Sequence, residues 1–273
     1  MTRSRPFRPF PTAAAAALVL AVPGLALADP SLPAPASMPV PDTDFVLDIG
    51  LAARLVPTYP GAGEMTVRAR PLFGVERLTL PLAGVVGGGA AEGVFFYPAF
   101  QFQGERRASD DADLAGMRDV DGSLGLGLGA GVNRKTWRAF AEVRAGVMGY
   151  SGLTARAGAD LIWSPSPETL MAIGPRIDLA GRDYARTWFG VTPAEAAASG
   201  GKLTAYAPDG GLASAGLAAS WGRAISDRAM LQLEAGWDRR LGDIEKSPLV
   251  RRGERDAVFV STGVTWRFGF GGS

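Results

Sequence analysis

Apolar residues return at every second position along most of this chain. Near its end, Val258, Val260, Thr262, Val264, Trp266, Phe268 and Phe270 alternate with Ala257, Phe259, Ser261, Gly263, Thr265, Arg267 and Gly269. A period of two puts one set on each face of a strand. Earlier, Phe45, Leu47, Ile49, Leu51, Ala53 and Leu55 oppose Asp48, Gly50 and Arg54. Trp137 through Val147 sets small and apolar residues against Arg138, Glu142 and Arg144, and Leu153 through Trp163 does so against Thr154, Arg156 and Asp160. Met171 through Leu179 opposes Arg176 and Asp178, and Leu231 through Trp237 opposes Gln232, Glu234, Asp238 and Arg240. Weaker runs of the same kind begin near Val67, Val94, Ser123 and Leu212.

Two architectures produce such runs. A soluble sandwich turns its apolar face inward, whereas a transmembrane barrel turns it to lipid and its polar face to the lumen. Run length separates them. These segments last about 10–13 residues, against about 5–6 for sandwich strands and about 9–11 for a tilted membrane strand. Trp137, Trp163, Trp237 and Trp266 lie near segment ends, where an interfacial aromatic girdle belongs. The pattern predicts an all-β fold: an antiparallel transmembrane β-barrel over residues 45–273, with outer-membrane lipid against its outward face.

The start of the chain points the same way. Arg3, Arg5 and Arg8 precede an apolar run from Ala13 to Leu27, and Ala26-Leu27-Ala28 closes it. This is the layout of a signal peptide over residues 1–28, cut after Ala28, in a protein bound for the bacterial outer membrane. Residues 29–44 are proline-rich and read as a flexible periplasmic linker. With the first strand running outward, the turns at 133–135, 164–168 and 226–227 fall on the periplasmic side. The long stretches at 105–121, 181–210 and 241–255 fall outside, the asymmetry expected of such barrels. The count is about ten strands, or about twelve if Leu78–Val86 forms an extra hairpin; evenness excludes eleven.

Composition removes chemistry rather than adding it. The chain has no histidine and no cysteine, and its formal net charge is +1. Mechanisms that use histidine as general base are therefore closed to it, as are thiolate metal sites and disulfides. Nothing in the charge favours nucleic acid. No catalytic residue, metal ligand or cofactor motif emerges. The glycine-rich run Gly125–Gly131 reads as a strand whose inner wall is bare backbone, not a phosphate loop. The acidic stretch from Ser109 to Asp119 lacks the spacing of a calcium loop and reads as a solvated external loop.

The inward charges are the informative set. Arg54, Arg68, Arg70, Arg138, Arg144, Arg156, Arg176, Arg240 and Arg267 share the lumen with Asp48, Glu76, Glu142, Asp160, Asp178, Glu234 and Asp238. Such a mixture favours mutual pairing that fills the barrel, with Arg144, Arg156 and Asp160 as one expected group; a charged pore or ligand site is the alternative.

Two long stretches, "YARTWFGVTPAEAAASGGKLTAYAPDGGLASAGL" and "RRLGDIEKSPLVRRGERDAVFVSTGVTWRF", resemble the C-terminal half of the MipA/OmpV family. The positions carrying the resemblance are Tyr184, Phe189, Gly190, Val191, Ser199, Gly200, Tyr206, Gly210, Leu241, Gly242, Asp243, Ser247, Pro248 and Leu249. The early "PTYPGAGE" looks like a further family loop, with Ala62 and Gly63 in place of polar residues. The resemblance implies an outer-membrane barrel without established enzymatic activity. Its implied role is a scaffold for a murein lytic transglycosylase and a penicillin-binding protein, with adhesin or small-solute channel as alternatives. Within the first stretch, Thr192, Pro193 and Glu195 read as the capped start of a short helix that Gly200-Gly201 stops. Asp243 and Ser247 read as turn formers.

Overall fold

In the computed structural model, which describes residues 34–80, 84–86 and 92–271, the alternating runs become one antiparallel sheet. Its strands are β1 (Phe45–Pro57), β2 (Met65–Leu80), β3 (Gly84–Val86), β4 (Gly93–Gln103), β5 (Ser123–Asn133) and β6 (Trp137–Met148). They continue as β7 (Leu153–Ser166), β8 (Thr169–Ala180), β9 (Gly211–Ala224), β10 (Ala229–Arg240) and β11 (Asp256–Phe270). The order across the sheet is β3-β2-β1-β11-β10-β9-β8-β7-β6-β5-β4, so the last long strand pairs with the first and the sheet curls into a nearly closed barrel. The segment read as a signal peptide lies outside the described residues.

Among the described residues, ten strands are long enough to cross a membrane, and the eleventh, β3, pairs Gly84–Val86 with Leu78–Leu80. The hairpin that the sequence left open is thus present over three described pairs, and the evenness expected of the count holds for the long strands. No ladder joins β2 to β4 among the described residues. Both strands carry a mid-strand proline, Pro71 and Pro98, and proline is confined to edges because it has no N–H to donate. The rings of Phe73 and Phe100 meet across this seam at 6.4 Å.

Facing follows the pattern. On β11, Val258, Val260, Trp266, Phe268 and Phe270 are exposed while Ser261, Thr265 and Arg267 are buried. An apolar surface stays outside because lipid, not water, is its solvent. The turns 134–136, 167–168 and 225–228 are short, and the connections 104–122, 181–210 and 241–255 are long. They define the periplasmic and outer ends respectively.

The long connections carry the helical structure: a 3₁₀ turn (Ala112–Leu114), α1 (Arg182–Phe189), α2 (Pro193–Ala198), α3 (Gly242–Glu245) and α4 (Pro248–Arg252). Only α2 was legible beforehand. Its capping box is complete: Thr192 accepts from the Glu195 backbone N–H, and the Glu195 carboxylate accepts from that of Thr192.

Candidate functional site

The strand register brings the lumen charges together in rows. Arg267 grips Asp48 with two hydrogen bonds, Nε to Oδ1 at 2.8 Å and NH2 to Oδ2 at 2.7 Å. Its NH1 reaches the Met38 carbonyl at 3.1 Å, and Glu76 lies 3.5 Å away. Arg138 donates to Asp160 Oδ2 at 2.7 Å, while Arg176 sits 2.8 Å from Oδ1 as an ion contact without good hydrogen-bond alignment. Both guanidiniums also lie over the Phe140 ring, at 5.6 and 5.1 Å. Arg156 holds Asp178 through two bonds of 2.7 and 3.0 Å, and Ser214 donates to the same carboxylate at 2.8 Å. Arg144 lies 3.3 Å from Glu142, two residues back on its own strand. Arg70 pairs with Glu234, which Arg54 approaches at 3.8 Å. Asp238 and Arg240 line the outer part of the lumen with Arg68.

Within the expected group of Arg144, Arg156 and Asp160, Arg156 and Asp160 do not pair with each other: Arg156 holds Asp178, Asp160 takes Arg138 and Arg176, and Arg144 contacts Glu142 along its own strand. Arg156 and Asp178, like Arg138 and Asp160, stand directly opposite on neighbouring strands, which brings them closer than two side chains four residues apart on one strand.

The motif residues build the outer cover. Tyr184 and Phe189 pack with Tyr150, Trp188, Ile244 and Val250 in one buried cluster. Val191 and Leu249 join Tyr59, Leu114, Met117 and Leu203 in another. Val191 pairs with Tyr206 in an isolated bridge, and the Tyr206 hydroxyl donates to the Asp243 carbonyl at 2.8 Å. Ser247 caps α4, which Pro248 opens, and donates from Oγ to the Phe189 carbonyl at 2.7 Å. Ser199 Oγ bonds the Ala196 carbonyl and accepts from the Leu203 N–H. Leu241 precedes α3, and Gly200, Gly210 and Gly242 take positive φ of 65°, 87° and 59°, which only glycine adopts freely. At Gly190 a side chain would strike the Arg186 carbonyl. Every one of these contacts folds loop onto loop.

Residues missed in the sequence hold the cover down. Arg106, from the connection read as solvated, is buried and donates to the Trp188 carbonyl at 2.7 Å. Burial draws its pKa down to about 10, against the raising influence of Glu195. Glu195 also accepts from the Arg118 N–H at 3.1 Å, tying α2 to the acidic connection. Within that connection Asp111 caps the 3₁₀ turn and accepts from the Tyr59 hydroxyl at 3.2 Å. Nothing local marked these side chains, because their partners come from other loops.

Two further expectations are corrected. The bare wall at Gly125–Gly131 is filled by neighbours: a side chain at Gly129 would meet the Tyr97 ring, at Gly131 the Phe95 ring, and at Gly125 the Tyr150 hydroxyl. Glycines here admit aromatic rings against the backbone. The described part of the proline-rich linker is not a free lead-in either. Ala34 and Met38 pack on Met230 and Ala224, and Ser37 bonds the Pro167 carbonyl at 2.9 Å, at the periplasmic mouth.

The family model described as MltA-interacting protein MipA matches residues 49–268. Comparison with curated proteins gave no match. Among solved structures, Neisserial surface protein A is 8% identical, covering 83% of this chain and 98% of its own, at a TM-score of 0.30. The translocator domain of the autotransporter NalP from Neisseria meningitidis is 12% identical, with 85% and 91% covered and a TM-score of 0.39. The outer membrane protein OprG from Pseudomonas aeruginosa is 10% identical, with 84% and 97% covered and a TM-score of 0.28.

Proposed function

The chain belongs to the MltA-interacting protein MipA family, and from that premise we propose that this outer-membrane barrel is a non-conducting scaffold that binds cell-wall machinery at its periplasmic end. The proposed partner is a murein lytic transglycosylase, the class to which the family description points, with a penicillin-binding protein as a second client. The observation behind this reading is that the lumen is occupied along its length. Folded loops cover the outer mouth, ion pairs cross the middle, and residues 34–38 pack into the periplasmic mouth. Named lumen cavities are about 60, 90 and 30 Å³, room for a few water molecules each. A barrel so filled offers its surfaces rather than a path, and water-filled porins need about 16–18 strands.

Among the described residues, the periplasmic surface includes the three short turns together with the packed residues 34–38. Photo-crosslinking groups at Lys135 or Asp227, both exposed, are expected to capture the transglycosylase in cells, while one at Glu254 on the outer face is not. Equal capture from both ends, or none from the periplasmic turns, would overturn the scaffold reading.

A further inference from the structure

We propose that the outer half of the lumen contains a binding site for a small oxyanion, a phosphate or carboxylate, held by Arg68 and Arg240. The site is a cavity of about 90 Å³ beneath the cover, lined by Arg54, Arg68, Arg156, Arg240, Asp238 and Phe259, among others. That volume matches about three waters or one small anion.

Charge balance distinguishes this level from the one below. Near the periplasmic end each named arginine has a carboxylate: Arg267 has Asp48, and Arg138 and Arg176 share Asp160. In the outer cavity four guanidiniums face a single lining carboxylate. Arg156 is already engaged by Asp178, and Arg54 lies 3.7 Å above the Phe259 ring and 3.8 Å from Glu234. Arg68 donates only to the Thr58 carbonyl, at 2.7 Å, and Arg240 has no side-chain partner among the described residues. The Nε of Arg240 is nevertheless shielded from solvent.

The register contributes to this imbalance. Arg54 on β1 stands directly opposite Arg68 on β2, a like-charge pair; Glu234 lies beside Arg54 but is also the partner of Arg70, and Arg68 has no carboxylate partner among the described residues. Arg240 stands opposite Ser214, which donates its hydroxyl proton to Asp178 and so offers no charge. A guanidinium presents its N–H groups as a planar fork that fits two oxygens of one oxyanion, and a second guanidinium completes the match to phosphate. A cation would meet net repulsion from the guanidiniums lining this cavity.

The test uses the full mature chain refolded in detergent micelles and titrated with inorganic phosphate by calorimetry, at constant ionic strength set by chloride. Saturable binding at one site is expected, weakened about tenfold or more by Arg240→Gln and by Arg68→Gln. Arg223→Gln, exposed on β9 away from the cavity, is expected to bind as wild type. A parallel titration with acetate distinguishes the two oxyanion classes, the tighter ligand naming the class. Heat-modifiable gel migration establishes that each variant is folded. Arg240→Lys keeps the charge without the fork, so it serves if the glutamine variant fails to fold and is expected to weaken binding severalfold. Absence of saturable binding for both phosphate and acetate, or unchanged affinity in the folded Arg68 and Arg240 variants, overturns the site.

Discussion

Replacing Arg267 with methionine tests whether the lumen ion pairs hold the barrel together. The Arg267 side chain is wholly buried. It makes two hydrogen bonds to Asp48, one to the Met38 carbonyl, and lies 3.5 Å from Glu76. Methionine fills much of the same volume, so the change is chiefly electrical: two buried carboxylates would face each other with no cation between them. Leaving a buried charge without its partner costs about 3–5 kcal/mol. With a urea dependence of about 2 kcal/mol per molar, the unfolding midpoint should fall by about 2 M. Reversible urea unfolding in micelles, followed by fluorescence of the six tryptophans, measures it. Adding Asp48→Asn and Glu76→Gln to Arg267→Met should recover most of the loss, because the penalty belongs to the orphaned charges rather than to the missing contacts. The variant should also lose protection of residues 34–38 from protease, since Met38 no longer has its anchor. An Arg267→Met midpoint within about 0.25 M of wild type, about 0.5 kcal/mol, would refute the reasoning, and it would mean that water reaches this level of the lumen freely.

Wild-type protein in planar bilayers should be electrically silent, and Arg144→Ala or Arg156→Ala should introduce conductance; large steady steps from wild type would defeat the closed-lumen reading. The cover should loosen in acid. Burial alone pushes the Glu195 carboxyl up, but the Thr192 and Arg118 backbone N–H groups, the Thr192 hydroxyl and the Arg118 charge outweigh it and hold its pKa below the usual carboxylate range. A depressed folded pKa gives stability that is present above the unfolded value, about 4.3, and lost as pH falls through the folded one. Proteolysis of residues 181–210 with an acid-active protease should therefore accelerate below about pH 4.3 in wild type. In Glu195→Gln this acid-dependent increase should largely disappear, and an identical profile in the two would refute the linkage. Gly129→Ala should cost about 1–3 kcal/mol in the same urea assay, because the added Cβ would overlap the Tyr97 ring.

The sequence by itself determined the facing of the barrel. A strand bordered by lipid on one side and by lumen on the other must alternate, and Val258 to Phe270 or Ile49 to Leu55 record that alternation one residue at a time. The capped start of α2 was equally legible, since Thr192 and Glu195 satisfy each other within a single turn. Tertiary structure alone decided the rest. Arg106 looked like an external charge until the Trp188 carbonyl, from a different loop, enclosed it. Gly129 looked like empty wall until Tyr97 of the neighbouring strand filled it. Residues 34–38 looked like free linker until Met230 and the Arg267 guanidinium gave them a surface to pack on. Which arginine holds which carboxylate, and that Arg68 and Arg240 hold none among the described residues, follows from register. Strand pairing sets that register, in β1–β11 between the first long strand and the last, and the lumen-facing pattern of one strand does not specify the height of its neighbour.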